Sequence, residues 1–106
     1  MNLLVHREAN GELVEAIVWQ IHRHRYDVAG RLNRLWERGL ELILDQPRSY
    51  PLVDDHVGDR EIRNYLLPRY KYRIVYELVR DELHILSFAR GQRRSGHWHG
   101  RKTTDS

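Results

Sequence analysis

The hydrophobic period of this 106-residue chain changes once, from that of a helix to that of a strand. In the first half, apolar residues recur three and four positions apart, which places them on one face of a helix. In the second half they alternate with polar residues, as in strands that are packed on one side. This change predicts a helical unit followed by a sheet.

Two helices are predicted before the change of period. The first covers Arg7 to about Arg25. Its apolar face consists of Ala9, Leu13, Ala16, Ile17 and Ile21. Asp27 is placed to cap a second helix, which we expect to end at Pro47. Because only a short turn separates the two helices, they are predicted to form an antiparallel hairpin.

Four strands are predicted around this hairpin. The short apolar run "NLLVH" near the start is interpreted as the first strand. The segment "DQPRSYPLVDDHVGDR" is predicted to be a loop because it contains two prolines and a glycine. Three strands with short connections follow, which predicts an antiparallel meander: "EIRNYLL", "YKYRIVYELV" and "LHILSFA". In the last strand, strict alternation sets Leu83, Ile85 and Ser87 against His84, Leu86 and Phe88.

The predicted fold class is α+β in the order β-α-α-β-β-β, with the helical hairpin packed on a small antiparallel sheet. With 41% hydrophobic and 31% charged residues, a chain of this length fits one compact domain, residues 1–106. The final "KTTDS", residues 102–106, is expected to be a disordered tail.

Several classes of protein are disfavoured by composition. The chain has no cysteine, so a disulfide framework and a thiolate metal site are excluded and a reducing compartment is favoured. No apolar run is long enough for a signal peptide or a membrane span, so we expect a soluble cytoplasmic protein. His97 and His99, with His84 or His56, could bind zinc, but a zinc site needs three or four converging ligands and no cysteine or flanking carboxylate fixes these histidines. We therefore expect neither a metal nor a cofactor.

The net charge of +3 is unevenly distributed. The stretch from Leu83 to Thr104 has five basic residues and no acidic one, so the rest of the chain carries a net charge of −2. A local excess of positive charge attracts phosphate or an acidic protein partner. The C-terminal region is therefore the first candidate for a functional surface.

The same region resembles a known family. The sequence "YRIVYELVRDELHILSFARGQRRSGHW" is similar to the C-terminal half of the RelE/ParE superfamily, the toxins of bacterial type II toxin–antitoxin systems. The family's Tyr-Arg-hydrophobic-Val-Tyr strand is matched by Tyr72, Arg73, Val75 and Tyr76. Its C-terminal motif is matched by Gly91, Arg93, Gly96 and Trp98. Five positions depart from that motif: Arg90, Gln92, Arg94, Ser95 and His97.

The resemblance implies a RelE/ParE toxin fold, growth inhibition, no cofactor, and a hetero-oligomer with a cognate antitoxin. RelE-like members cut mRNA on the ribosome, whereas ParE-like members, of the plasmid stabilisation type, block DNA gyrase. Many RelE-like enzymes use lysines on the second strand, and "EIRNYLL" offers only Arg63. We therefore favour a non-enzymatic gyrase inhibitor, with a metal-independent mRNA endoribonuclease as the alternative. A non-toxic adaptor with the same fold is the third hypothesis.

Each hypothesis assigns site residues. Ribonuclease chemistry needs cations at the phosphate and a group that titrates near neutral pH. Candidates for these roles are Arg73, Arg90, Arg93 and His97. A target- or phosphate-binding surface would comprise Arg73, Arg90, Arg93, Arg94 and Trp98. The plainer structural explanations are an ion pair of Arg73 with Glu77 and burial of Trp98 in the core.

The helical hairpin offers a second candidate surface. Val14, Val18, Trp19 and Leu40 extend its apolar arc beyond one face. An apolar surplus on a helix suits an amphipathic partner helix, so these four residues are predicted to bind the antitoxin.

Overall fold

A computed structural model of the chain describes residues 1–53, 58–90 and 100–101. Its elements follow the predicted order, which confirms the α+β class. They are β1 (Asn2–Val5), α1 (Arg7–His22), α2 (Tyr26–Asp45), β2 (Glu61–Leu66), β3 (Tyr72–Val79) and β4 (Glu82–Arg90). Among the described residues, no helix combines the length and the apolar character that crossing a membrane requires.

The four strands form one sheet in the order β1-β4-β3-β2. Strands β2, β3 and β4 make the predicted antiparallel meander, but β1 pairs with β4 in parallel, so the sheet is mixed. The prediction of a wholly antiparallel sheet was therefore wrong at this edge. The sequence of a four-residue strand does not indicate which strand it pairs with, and here the partner lies some eighty positions away.

The helices begin at caps of different kinds. At the start of α1, the His6 Nδ1 accepts a hydrogen bond from the Glu8 backbone N–H at 3.1 Å. The prediction of Asp27 as the cap of α2 was wrong, because α2 begins two residues earlier, after Arg25. Asp27 lies instead in the first turn, where its carboxylate is favoured by the positive end of the helix dipole.

The core lies between the helices and one face of the sheet. Trp36 of α2 packs edge-on against Phe88 of β4, with ring centroids 5.2 Å apart. Tyr72 stacks on the same Phe88 ring at 4.6 Å. Other fully buried members of this cluster are Ala9, Leu32, Ile43, Ile74, Tyr76, Leu83 and Ile85. A smaller cluster on the opposite face consists of Ile62, Val75 and Leu86, covered in part by Val53.

A β-bulge in β4 decides which side chains face the helices. Val75 pairs with Ser87 but Tyr76 pairs with Ile85, so Leu86 is an extra residue between two partners. Ile85 and Phe88 consequently both join the core below the helices, whereas Leu86 joins the opposite cluster. The alternation predicted for this strand therefore holds as far as Leu86 and was wrong for Ser87 and Phe88.

Beyond the end of β1, side chains complete the outer edge of β4. The Glu12 Oε1 accepts the Phe88 backbone N–H at 3.0 Å and an Arg101 Nη1 hydrogen bond at 2.8 Å. The same Nη1 donates to the Leu86 carbonyl at 2.9 Å, and the Arg101 Nε lies 3.1 Å from Glu8 Oε2. Since the Glu12 and Arg101 side chains are only 7% and 10% exposed, this is a buried ion pair that ties residue 101 to α1 and β4.

We expect Arg101→Ala to lower the free energy of unfolding by about 3 kcal/mol, because it removes one partner of a buried ion pair. The matched control is Arg38→Ala, since Arg38 is 64% exposed and its pair with Glu41 should contribute less than about 0.5 kcal/mol. Urea unfolding followed by circular dichroism measures both. Equal effects of the two substitutions would contradict the buried role of Arg101.

Two helical glycines should respond oppositely to alanine. A Cβ on Gly39 would lie 2.9 Å from Ile74 Cδ1 and 3.1 Å from Tyr65 Cε2, whereas a Cβ on Gly11 meets nothing within 4 Å. We expect Gly11→Ala to stabilise the protein by about 0.5–1 kcal/mol through helix propensity. Gly39→Ala should destabilise it by about 1 kcal/mol, because overpacking outweighs that gain. Denaturation midpoints that rise for both variants would contradict the close packing of α2 on the sheet.

Candidate functional site

One end of the sheet collects positive charge. The β2–β3 turn lies there with Arg69 and Lys71, and Arg73 follows at the start of β3. Arg90, the last residue of β4, is the register partner of Tyr72 at the same end. Arg31 of α2 joins this group because its Nη1 donates to the Tyr70 hydroxyl at 3.0 Å. We call these five residues, Arg31, Arg69, Lys71, Arg73 and Arg90, the cationic end.

Carboxylates concentrate at the opposite end of the sheet, where two of them form ion pairs with arginines. Glu61 at the start of β2 contacts Arg48 and Arg63, both at 3.0 Å. Glu77 near the end of β3 accepts two hydrogen bonds from Arg60, at 2.9 and 3.0 Å. By contrast, within residues 1–53, 58–90 and 100–101 no carboxylate forms an ion pair with any member of the cationic end. Among the described residues, Glu61 and Glu77 are thus paired with arginines at one end of the sheet, whereas the five basic residues at the other end have no carboxylate partner.

Arg73 is the inner-strand residue of the cationic end. Its Nη1 donates to the Asn64 Oδ1 at 2.7 Å, and the side chain is exposed on the sheet face away from the helices. The predicted ion pair of Arg73 with Glu77 was wrong, because Glu77 is taken by Arg60. This hydrogen bond to a neutral amide orients the guanidinium, and no described carboxylate compensates its charge.

Arg90 lies on the other face. Since Tyr72 pairs with Arg90 and Arg73 pairs with Ala89, the Arg73 and Arg90 side chains leave the sheet in opposite directions. The Arg90 guanidinium carbon is 5.9 Å from the centre of the Tyr72 ring. Burial raises the pKa of the Tyr72 phenol above its usual value, and the nearby Arg90 charge opposes that rise. The two arginines expected around one phosphate are therefore not brought together by the described residues.

Several predicted site residues lie outside the described part of the chain. They are Arg93, Arg94, His97 and Trp98, together with the histidines at positions 56 and 99 and the tail 102–106. Of the residues that are described, no three His, Asp or Glu side chains form a group that could hold a metal ion.

The second candidate surface is a shallow groove along α1. It is lined by Gly11, Val14, Glu15, Val18, Trp19 and His22 and encloses about 470 Å³. Val14, Val18 and Trp19 are 50%, 40% and 46% exposed, and the Arg23 guanidinium stacks over the Trp19 ring at 4.0 Å. Leu40, predicted to belong to this surface, is partly buried and packs against the core instead.

Sequence reasoning missed the residues that organise these surfaces. Asn64, Glu12 and Arg101 carried no recognisable pattern, because their roles depend on contacts between distant segments. Arg69 and Lys71 could have been found, since basic residues stand at positions 69, 71 and 73 with no acidic residue between Glu61 and Glu77.

No family model matches this chain, and a search of curated proteins finds no similar one.

The ion pairs of Glu61 with Arg48 and Arg63 can be tested by the pH dependence of stability. Burial alone would raise the pKa of Glu61, but hydrogen bonds from Arg48 and Arg63 outweigh it and hold the pKa below the usual 4.5. A carboxyl whose pKa is lowered by folding stabilises the protein above its unfolded pKa, and this contribution is lost as the pH falls through the folded pKa.

We therefore expect Glu61→Gln to lower stability at neutral pH and to reduce the loss of stability below pH 4.5. Urea midpoints measured between neutral and acidic pH test this prediction. Glu41→Gln, at a side chain that is 67% exposed, is the matched control and should change the stability at neutral pH very little. A Glu61→Gln profile parallel to the wild-type profile would contradict the prediction.

Proposed function

We propose that this chain is the toxin of a bacterial type II toxin–antitoxin system, with a RelE/ParE-like fold, and that it acts in the cytoplasm by poisoning DNA gyrase. The observation that carries the proposal is the position of Arg73. This residue belongs to the Tyr-Arg-hydrophobic-Val-Tyr match, lies on an inner strand, and is exposed on the face opposite the helical hairpin. An exposed guanidinium that has no carboxylate partner among the described residues is suited to binding a macromolecular target.

The geometry favours a binding surface over a ribonuclease site. Ribonuclease chemistry needs cations and an acid or base around one phosphate. The side chains beside Arg73 in the sheet are Leu66 and Ala89 across the strands, and Asn64. None of these neighbours titrates, and Arg90 points from the other face. These described residues support the non-enzymatic, ParE-like alternative.

The α1 groove is the proposed site of the antitoxin. Val14 and Val18 are one helical turn apart, and Trp19 adds an exposed aromatic ring beside them. An apolar stripe of this kind can bind the apolar face of an amphipathic helix whose own apolar side chains are one helical turn apart. The toxin and its antitoxin would then form a hetero-oligomer in which the stripe is buried.

The decisive experiment induces the chain in bacteria without an antitoxin and follows incorporation of labelled thymidine and methionine over the first minutes. We expect thymidine incorporation to fall while methionine incorporation continues. Arg73→Ala should reduce the effect at equal protein level, because it removes the exposed cation. Arg38→Ala, an exposed arginine on α2, is the control and should remain as toxic as the wild type.

Three outcomes would overturn parts of the proposal. An early collapse of methionine incorporation would identify translation as the target and favour the endoribonuclease. Normal growth with folded protein present would favour the non-toxic adaptor. Unchanged gyrase supercoiling and cleavage with stoichiometric purified protein would exclude gyrase as the direct target.

A further inference from the structure

The β2–β3 turn has an unfavourable backbone conformation. Tyr70 and Lys71 both lie in the left-handed region, with φ of 66° and 56°. Residues other than glycine and asparagine rarely adopt this conformation, because the Cβ approaches the following carbonyl oxygen. Two such residues in succession persist only where the surrounding structure holds them.

The side chain of Tyr70 holds the turn. It packs partly buried against the core, and its hydroxyl accepts the Arg31 hydrogen bond from α2 at 3.0 Å. The turn is closed by a hydrogen bond from the Leu67 N–H to the Tyr72 carbonyl at 2.9 Å. Because Tyr70 is directed inward, Arg69 and Lys71 on either side of it remain exposed.

Arg69, Lys71 and Arg73 are exposed cations in this region, and the two described tyrosines beside them, Tyr70 and Tyr72, contact other residues. Arg69, Lys71 and Arg73 have no carboxylate partner in the described part of the chain. The Tyr70 hydroxyl is bonded to Arg31, and the Tyr72 ring is stacked on Phe88. Single-stranded nucleic acids need aromatic platforms on which bases stack, whereas the backbone of a duplex needs only positioned cations.

We infer that the β2–β3 turn binds the backbone phosphates of duplex DNA, independently of base sequence, through Arg69, Lys71 and Arg73. Such contacts release counterions and place the protein on DNA without reading bases. The inference goes beyond the proposed function, since it concerns DNA itself and holds whether or not gyrase is the target.

Fluorescence anisotropy of the full chain with a labelled duplex, in the absence of any other protein, tests the inference. With three phosphate contacts, the logarithm of the binding constant should fall with the logarithm of salt concentration at a slope of about −2.7. Lys71→Gly should bring the slope to about −1.8 and weaken binding roughly tenfold at low salt. The same variant should have a higher urea midpoint, because glycine accommodates the positive φ without strain.

Arg80→Gly is the matched control. Arg80 also has a positive φ, of 56°, in the β3–β4 turn, but it is followed by the acidic Asp81 and Glu82. This variant should likewise raise the urea midpoint while leaving DNA affinity and the salt slope unchanged. Wild-type affinity in Lys71→Gly would overturn the inference, as would equal weakening in Arg80→Gly. Tighter binding of a single strand than of the duplex would also overturn it.

Discussion

The fold depends on side-chain hydrogen bonds to the outer edge of β4 beyond the point where β1 ends. A nine-residue strand is covered on that side by a strand of only four residues, so backbone groups near Phe88 would otherwise lack partners. Glu12 supplies a carboxylate acceptor from α1, and Arg101 supplies donors that neutralise this carboxylate and reach the Leu86 carbonyl. Burying one of these charges alone would be costly, so the two act together and join α1, β4 and residue 101.

Charged side chains are distributed unevenly between the two ends of the same sheet. Near the start of β2 and the end of β3, Glu61 and Glu77 are matched by arginines, which fixes their side chains and removes net charge. At the other end, the cationic end has only a neutral amide, a hydroxyl and one aromatic ring as described partners. Positive side chains thereby collect where β2 and β4 end and β3 begins, and such a local excess of charge attracts anionic partners. Both the proposed target surface and the proposed DNA contact draw on this asymmetry.

Helix α1 serves the fold with one face and leaves the other available. Its buried residues, such as Leu13 and Ala16, contact the core, whereas Val14, Val18 and Trp19 form an exposed apolar stripe. A stripe that the core does not need is consistent with a partner-binding role. Because the stripe lies on the exposed face of α1, substitutions in it can test partner binding with little effect on stability.

The sequence by itself determined the α+β class, the order of the elements and the exposed stripe on α1, because these follow from hydrophobic period and local turn residues. It also identified Arg73 as a candidate site residue through a local motif. Only the tertiary structure decided the partner of β1, the bulge that turns Phe88 toward the helices, and the choice of Asn64 over Glu77 as the partner of Arg73. Periodicity records the environment of neighbouring residues, whereas strand partners, register and ion pairs are selected by atoms that meet only after distant segments have packed together.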